Sequence, residues 1–469
     1  MSQINISNSS HDSSLLVDDA SKQNRSVFLV FALLIIFSTA ATVPIFNFAG
    51  IPGFARNNGF MFVLLGLVTM ALADHRRIRL GKLVLSFLPL VLIGFVTSIG
   101  MSIYLTETIG SLFGETPISA MLNGLLWLSF DAVIVFFCSN SYARCSSDFL
   151  DNTFDLLLIF VLAVCCIQAG VSLGIPGFSN LFSIINVGGW FSIFYDVDFE
   201  RLSGICSEPA AMSKTLGLLC LPYCYCRIRS GGGKRYKVAF ILLLLFAFMT
   251  KSTTVYVTVA CVFAGIIFIN FHRVKSKAFY AVIVVCGFFV ALIILLFMVN
   301  GWSIESSDVS DVFQSVLGKI SDVGNASTAY RNSTIINDIE IFKDYPFFGV
   351  GDGNQGFFYA QNLPAWVLSS GSEEAIRALS GEIGVLNGGA FLPSLISGYG
   401  ILGCVLFGTW IVSCIRMAIT NKQRMGHFYE MFSVALFALI PICWMSEGFQ
   451  GAPVAVFLVL CMPVLGADR

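Results

Sequence analysis

Charge is scarce in this sequence. Lys, Arg, Asp and Glu make up 12% of its 469 residues, about half of the roughly 25% usual in soluble domains, which excludes an ordinary water-soluble globule. The net charge of −1 leaves no basic excess with which to hold nucleic acid. Also missing are the segments of alternating apolar and polar residues that a membrane barrel requires. No cleavable leader pattern opens the chain, because the first apolar run follows a Ser/Asn/Asp-rich tail and is itself long enough to span.

What the chain does contain is apolar surface: 56% hydrophobic and 14% aromatic residues, with a mean hydropathy of +0.83. Repeated apolar runs of about 20 residues can each cross roughly 30 Å of hydrocarbon as a helix. The expected fold is an all-α polytopic membrane protein of about 12 transmembrane helices, the count coming from twelve segments. They lie near 27–47, 59–74, 83–104, 118–138, 153–174, 207–226, 236–250, 252–271, 278–299, 390–415, 427–446 and 450–466. Residues 1–25 read as a disordered cytosolic tail. Residues 26–299 hold the first nine spans with an outer loop at 175–206, 300–389 form a large outer loop, and 390–469 hold the last three spans.

Basic residues fix the orientation. With both termini cytosolic, 19 of the 27 Lys and Arg fall on the inner side, as the positive-inside rule asks. Part of that sorting depends on splitting the long run at 236–271 at Lys251, since one unbroken helix there would far exceed the bilayer. Arg56, Arg201, Lys214, Lys251, Lys319, Arg331, Lys343 and Arg377 are left on or near the outer face, where the rule disfavours them. The large loop itself holds four basic residues against eleven acidic ones. Most of the fourteen cysteines fall in apolar runs or on the inner side, Cys206 being the main exception. Cys220, Cys224 and Cys226 read as buried small hydrophobes, with a metal site as the lesser alternative. No metal and no cofactor is expected.

The outer loops carry the chemistry. The loop at 175–215 ends in Arg201, Gly204, Cys206, Glu208 and Pro209. Proline suits the first turn of a helix, so Glu208 should sit at the mouth of the sixth span, with Lys214 about one turn further in. An ammonium there would cost several kcal/mol unless it met water or an anion. In the large loop, Ile335, Ile336, Ile339 and Phe342 recur at helical spacing, which predicts a short amphipathic helix over 329–343, opened by Arg331 and lying against the membrane domain. Pro346 should stop it. Gly349, Gly351 and Gly353 should let the next stretch turn sharply or approach a ligand, with Asp352 capping the turn. Arginine suits a diphosphate because its planar fork donates two hydrogen bonds and keeps its charge.

Arg201-x-x-Gly204 before Glu208-Pro209-Ala210, the turn Thr250-Lys251-Ser252, then Arg331 and Tyr345-Pro346-Phe347-Phe348-Gly349-Val350-Gly351 together resemble the bacterial O-antigen polymerase and O-antigen ligase superfamily. Gly398-Tyr399-Gly400-Ile401-Leu402-Gly403 is similar to it as well, and the resemblance covers residues 150–415. It implies a GT-C-like membrane glycosyltransferase whose donor and acceptor are undecaprenyl-diphosphate-linked glycans at the outer face of the inner membrane. Membrane lipids, and a chain-length regulator, would be the other partners. Arg201, Glu208 and Arg331 are then the expected catalytic residues. Lys214, Lys251, Tyr330, Gly349, Gly351, Arg377 and Glu382 are the expected substrate-binding set, with Glu382 or Glu373 as alternative bases to Glu208. Lys251 stands where an arginine is commoner in the family.

The ligases resemble one another in an outer histidine, whereas His11, His75, His272 and His427 all map to the inner side. Glu208-Pro209 also looks more like the polymerases, so polymerase is the favoured member function and ligase the alternative. A transporter or flippase is the rival from another class, but no repeated halves are visible. Asp131 within the fourth span is expected to pair with a neighbouring helix or reach the inner interface. Gly398, Gly400 and Gly403 should allow close helix packing.

Overall fold

Backbone polar groups in lipid must be satisfied within the protein, which helices do locally. The computed structural model describes residues 26–38, 60–74, 81–142, 145–185, 201–206, 208–271, 326–381 and 390–445, and among them there are helices and no strands. The protein is an all-α polytopic membrane protein. Its helices are α1 (Ser26–Phe37), α2 (Phe60–Asp74), α3 (Lys82–Thr108), α4 (Pro117–Tyr142), α5 (Ser147–Ser172) and the short α6 (Phe178–Ile185). Next come α7 (Met212–Lys214), a π-helical segment (Thr215–Cys220), α8 (Leu221–Arg229), α9 (Lys234–Met249) and α10 (Thr253–Phe271). After these follow α11 (Ala326–Asp344), α12 (Gln355–Gln361), α13 (Ala365–Ser369), α14 (Glu373–Leu379), α15 (Phe391–Thr420), α16 (Lys422–Met425) and α17 (His427–Met445). Six helices among the described residues, α3, α4, α5, α10, α15 and α17, are long and apolar enough to cross a membrane. The expected spans at 278–299 and 450–466, the tail at 1–25 and the loop start at 300–325 lie outside the described residues.

The expected break at Lys251 is present. α9 stops at Met249 and α10 begins at Thr253, with Lys251 at φ +47, in the left-handed region. Thr250 stabilises the corner: its Oγ1 donates to the Ala247 carbonyl at 2.7 Å and accepts from the Ser252 N–H at 3.3 Å.

The sixth span differs from expectation. Residues 208–211 form a turn in which the amides of Ala211, Met212, Ser213 and Lys214 each bond three residues back, and the α-helix begins only at Met212. A π-helical segment then precedes Leu221-Pro222. Proline lacks the amide that would continue an α-helical ladder, and a π segment is one way a helix accommodates such a gap.

At the opposite end of these helices, two aspartates of α5 bind four elements together. Asp151 takes Arg227 Nη1 and His427 Nε2, both at 2.8 Å. Asp155 accepts the hydroxyls of Tyr223 at 2.9 Å and Tyr236 at 2.8 Å. Arg227, expected on the inner side, therefore also ties helices together through Asp151. Cys220, Cys224 and Cys226 are buried in the core beside this network.

α15 is broken. Gly400 sits at φ 63 and ψ −160, and the glycine loop fills the gap. The Val350 and Gly351 amides donate to the carbonyls of Ser397 at 2.9 Å and Gly398 at 2.7 Å, while the Ile401 and Leu402 amides donate to Pro346 at 2.8 Å and Phe347 at 3.2 Å. Gly398 and Gly400 thus admit a loop to an opened helix rather than letting two intact helices pack closely.

α11 is turned over relative to its sequence pattern. Its buried face carries Ser333, Thr334, Asn337 and Asp338 with Ala329 and Ile341, whereas Ile336 and Ile339 are exposed. Arg331 lies in the second turn and does not open the helix, which starts at Ala326. Apolar periodicity locates a helix, but here it misidentifies the buried face because the partner surface, the opened α15, is itself polar.

Candidate active site

Arg201 is anchored by backbone. Its Nε donates to the Thr250 carbonyl and its Nη2 to the Lys251 carbonyl, both at 3.3 Å, and the neighbouring Leu202 amide donates to Met249 at 3.1 Å. The left-handed turn at Lys251 aims those carbonyls, so the α9–α10 corner serves as a cradle for the guanidinium. On the other side, buried Gln168 of α5 clamps the same loop: its Nε2 donates to the Gly204 carbonyl and its Oε1 accepts the Gly204 amide, each at 2.8 Å. Gln168→Leu would leave both groups of Gly204 buried and unpaired, at a cost of about 2 kcal/mol or more. The expected result is a lowered unfolding midpoint, measurable on the purified protein.

The charges gather here. Burial lowers the Arg201 pKa; Glu208 and Tyr256 oppose that shift, and Arg331 adds to it. Arg331, 130 positions later in sequence and on a different element, therefore stands within electrostatic reach of Arg201. Lys214 and Glu208 both act on Cys206, and Lys214 also reaches Cys443 of α17. Cys206 is buried, shares a 3.3 Å hydrogen bond with Thr215, and has its thiol pushed up to about 11, chiefly by burial. It stays a thiol at neutral pH and is no nucleophile.

Arg201, Glu208, Lys214 and Arg331 thus share one neighbourhood, and Lys251 contributes its carbonyl to it. Four other expected binding residues are placed elsewhere. Tyr330 packs with Tyr345 against Ile341, Val350 and Tyr359. Gly349 and Gly351 are buried against protein: a Cβ on Gly349 would meet the Gly398 backbone at 2.4 Å, and one on Gly351 would meet the Ser98 backbone at 2.3 Å. Their close approach is to helices, not to a ligand. Arg377 is exposed on α14. Glu382 lies outside the described residues. Asp352 does not cap its turn; its carboxylate accepts the Tyr399 hydroxyl. Asp131 is buried on α4.

Sequence reasoning missed Gln168, Tyr256, Asp338 and Tyr359. An isolated polar residue in an apolar run was the available signal for Gln168. Nothing local marks Asp338, which lies among ordinary loop polar residues.

Residues 238–374 match the family model described as O-Antigen ligase. The match runs from α9 through the Lys251 turn, Arg331 and the glycine loop to the start of α14, and leaves out Arg201 and Glu208. It supports a membrane enzyme of the O-antigen polymerase/ligase superfamily without separating polymerase from ligase. No curated protein and no solved structure matches the chain.

Proposed function

We propose that the protein polymerises undecaprenyl-diphosphate-linked oligosaccharide repeat units at the periplasmic face of a bacterial inner membrane, with both termini cytosolic. The observation that carries this reading is that the Thr250 and Lys251 carbonyls hold the Arg201 guanidinium where the charge of Arg331 reaches it. Two like charges held close disfavour one another, and a diphosphate between them would remove that cost. Nucleotide sugars are not supplied on that side of the membrane, so a lipid-linked diphosphate is the donor chemistry that fits.

In the step itself, an acceptor sugar hydroxyl oxygen forms a bond to the donor's anomeric carbon as that carbon's bond to the diphosphate oxygen breaks. The diphosphate leaves with the bonding pair onto the two guanidinium groups, where charge-assisted hydrogen bonds stabilise it. The hydroxyl proton passes to the Glu208 carboxylate, or to solvent. Lys214 adds positive charge beneath the site.

Polymerase is preferred to ligase because His427, the histidine among the described residues, is engaged with Asp151 at the Arg227 end of the helices, away from Arg201. A transporter with a broken helix would expose unwound backbone to its cargo. In α15 the amides and carbonyls around the break pair with the glycine loop instead, which disfavours that reading.

A gene deletion tests the assignment. Loss of a polymerase leaves single repeat units on the lipid A core. Loss of a ligase leaves none there and strands polymer on its carrier, and loss of a flippase accumulates repeat units facing the cytosol. Either of the last two patterns on a polysaccharide gel would sink the polymerase reading. A chain-length regulator is a further proposed partner.

A further inference from the structure

Arg331 and Asp338 stand seven residues apart on α11, two turns along one face of the helix. Asp338 is 1% exposed, and its Oδ1 accepts the Ser397 hydroxyl at 2.5 Å and the Tyr359 hydroxyl as well. One carboxyl group therefore joins α11, α12 and the first half of the broken α15. Gln355 of α12 reinforces the junction, donating to the Ser394 carbonyl at 2.7 Å and to Ser397 Oγ at 3.2 Å. Nearby, the Asp352–Tyr399 bond pins the glycine loop to the same helix.

A buried carboxyl is costly even when bonded, and α11 carries isoleucines that could have packed this face. Ile336 and Ile339 face outward instead. Apolar side chains would hold two helices together while leaving rotation and slide loosely set, whereas directed bonds to two partners fix both.

The geometry points to Asp338 as a positioning residue: through its bonds to Tyr359 and Ser397 it fixes the register of α11, and with it the place of Arg331 two turns along the same helix. The inference rests on the glycosyl-transfer reading of Arg201 and Arg331, and Asp338 itself touches no substrate. Burial pushes its carboxyl up to about 7, against the opposing pull of the Ser397, Tyr359 and Ser394 hydroxyls. The titratable group meeting it from α12 is Tyr359; α15 presents serine hydroxyls; Arg377 on α14 is exposed. A raised carboxyl pKa means that the folded protein keeps a proton which the unfolded chain has lost. Stability from this group is full below the ordinary value of 3.8 and falls as pH rises to about 7.

Asparagine keeps the oxygen acceptor, and leucine removes it at similar size. With purified full-length protein and a lipid-linked repeat unit, Asp338→Asn should transfer within a few-fold of wild type, with a flatter unfolding midpoint between pH 4 and 7. Asp338→Leu should lose about 100-fold in turnover, the scale of a 1 Å misplacement of a catalytic group. Should Asp338→Leu fail to accumulate, Ser397→Ala and Tyr359→Phe each delete one of the two bonds and carry the same expectation of slower turnover.

The clamp is overturned if Asp338→Asn falls as far as Asp338→Leu while folded, since the carboxylate would then be acting in the chemistry. It is also overturned if Asp338→Leu keeps the wild-type rate, or if Asp338→Asn keeps the wild-type pH slope of unfolding. A wild-type protein that transfers nothing, yet shows the slope that Asp338→Asn loses, sinks the glycosyl-transfer reading and leaves the clamp in place.

Discussion

Arg331→Ala and Arg201→Ala should accumulate in the membrane at normal levels and, on the proposed function, extend no glycan chains. Each arginine is asked to stabilise charge that develops only as the diphosphate departs, and a preorganised donor of that kind is worth about 2.7 to 4 kcal/mol, or roughly 10² to 10³ in rate. Arg201 has a second reason to matter: the Thr250 and Lys251 carbonyls hold its guanidinium before substrate arrives, so little ordering is left to be done at the moment of reaction. Arg201→Lys should recover part of the rate at most, because an ammonium retains charge but loses the planar fork that spans two phosphate oxygens. Chain-length distribution on a gel, beside an immunoblot for abundance, measures both quantities. Wild-type chain lengths in both alanine variants would remove the active-site assignment.

Gly351→Ala is expected to abolish folded protein rather than activity alone. Gly351 has φ +78, and an added Cβ would lie 2.3 Å from Ser98 Cα on α3. A left-handed conformation costs a non-glycine residue about 1 to 2 kcal/mol, and forced overpacking adds about 1 to 3 kcal/mol more. The clash is with backbone, so no side-chain rotation relieves it. The loop also closes the gap in α15, and moving it would free several buried amides and carbonyls at once. Gly174→Ala separates the two terms: it has φ +66 with nothing within 4 Å, and should show the conformational strain alone. Unfolding midpoints in detergent measure the difference. Equal losses in the two variants would show that the packed loop contributes nothing.

The Arg201–Arg331 pairing and the glycine loop were legible to different degrees. That Arg201 and Arg331 stand out follows from position alone, since cations expected on the outer face are disfavoured by the positive-inside rule and need a reason. That the Arg331 charge reaches Arg201 is a tertiary fact. Nothing in either local sequence reports the Thr250–Lys251 cradle, the Gln168 clamp or the register of α11. The glycines were correctly marked as places of close approach, yet the partner was misread: they approach Ser98, Ser397 and Gly398, not a ligand. A glycine reports that something comes near and does not say what.

The sequence by itself determined the solvent. Low charge and repeated apolar runs place this chain in a bilayer as helices, and a lysine inside an overlong run shows where one of them must turn. Only the tertiary structure decided which face of α11 is buried, that α15 opens at Gly400, and that one buried carboxyl group joins α11 to α12 and α15. The physical reason is that hydrophobic patterning records how a segment partitions between water and apolar surroundings. A polar helix face bonded to an unwound polar helix leaves no such record, because hydrogen bonds are satisfied by a partner's geometry and not by its composition.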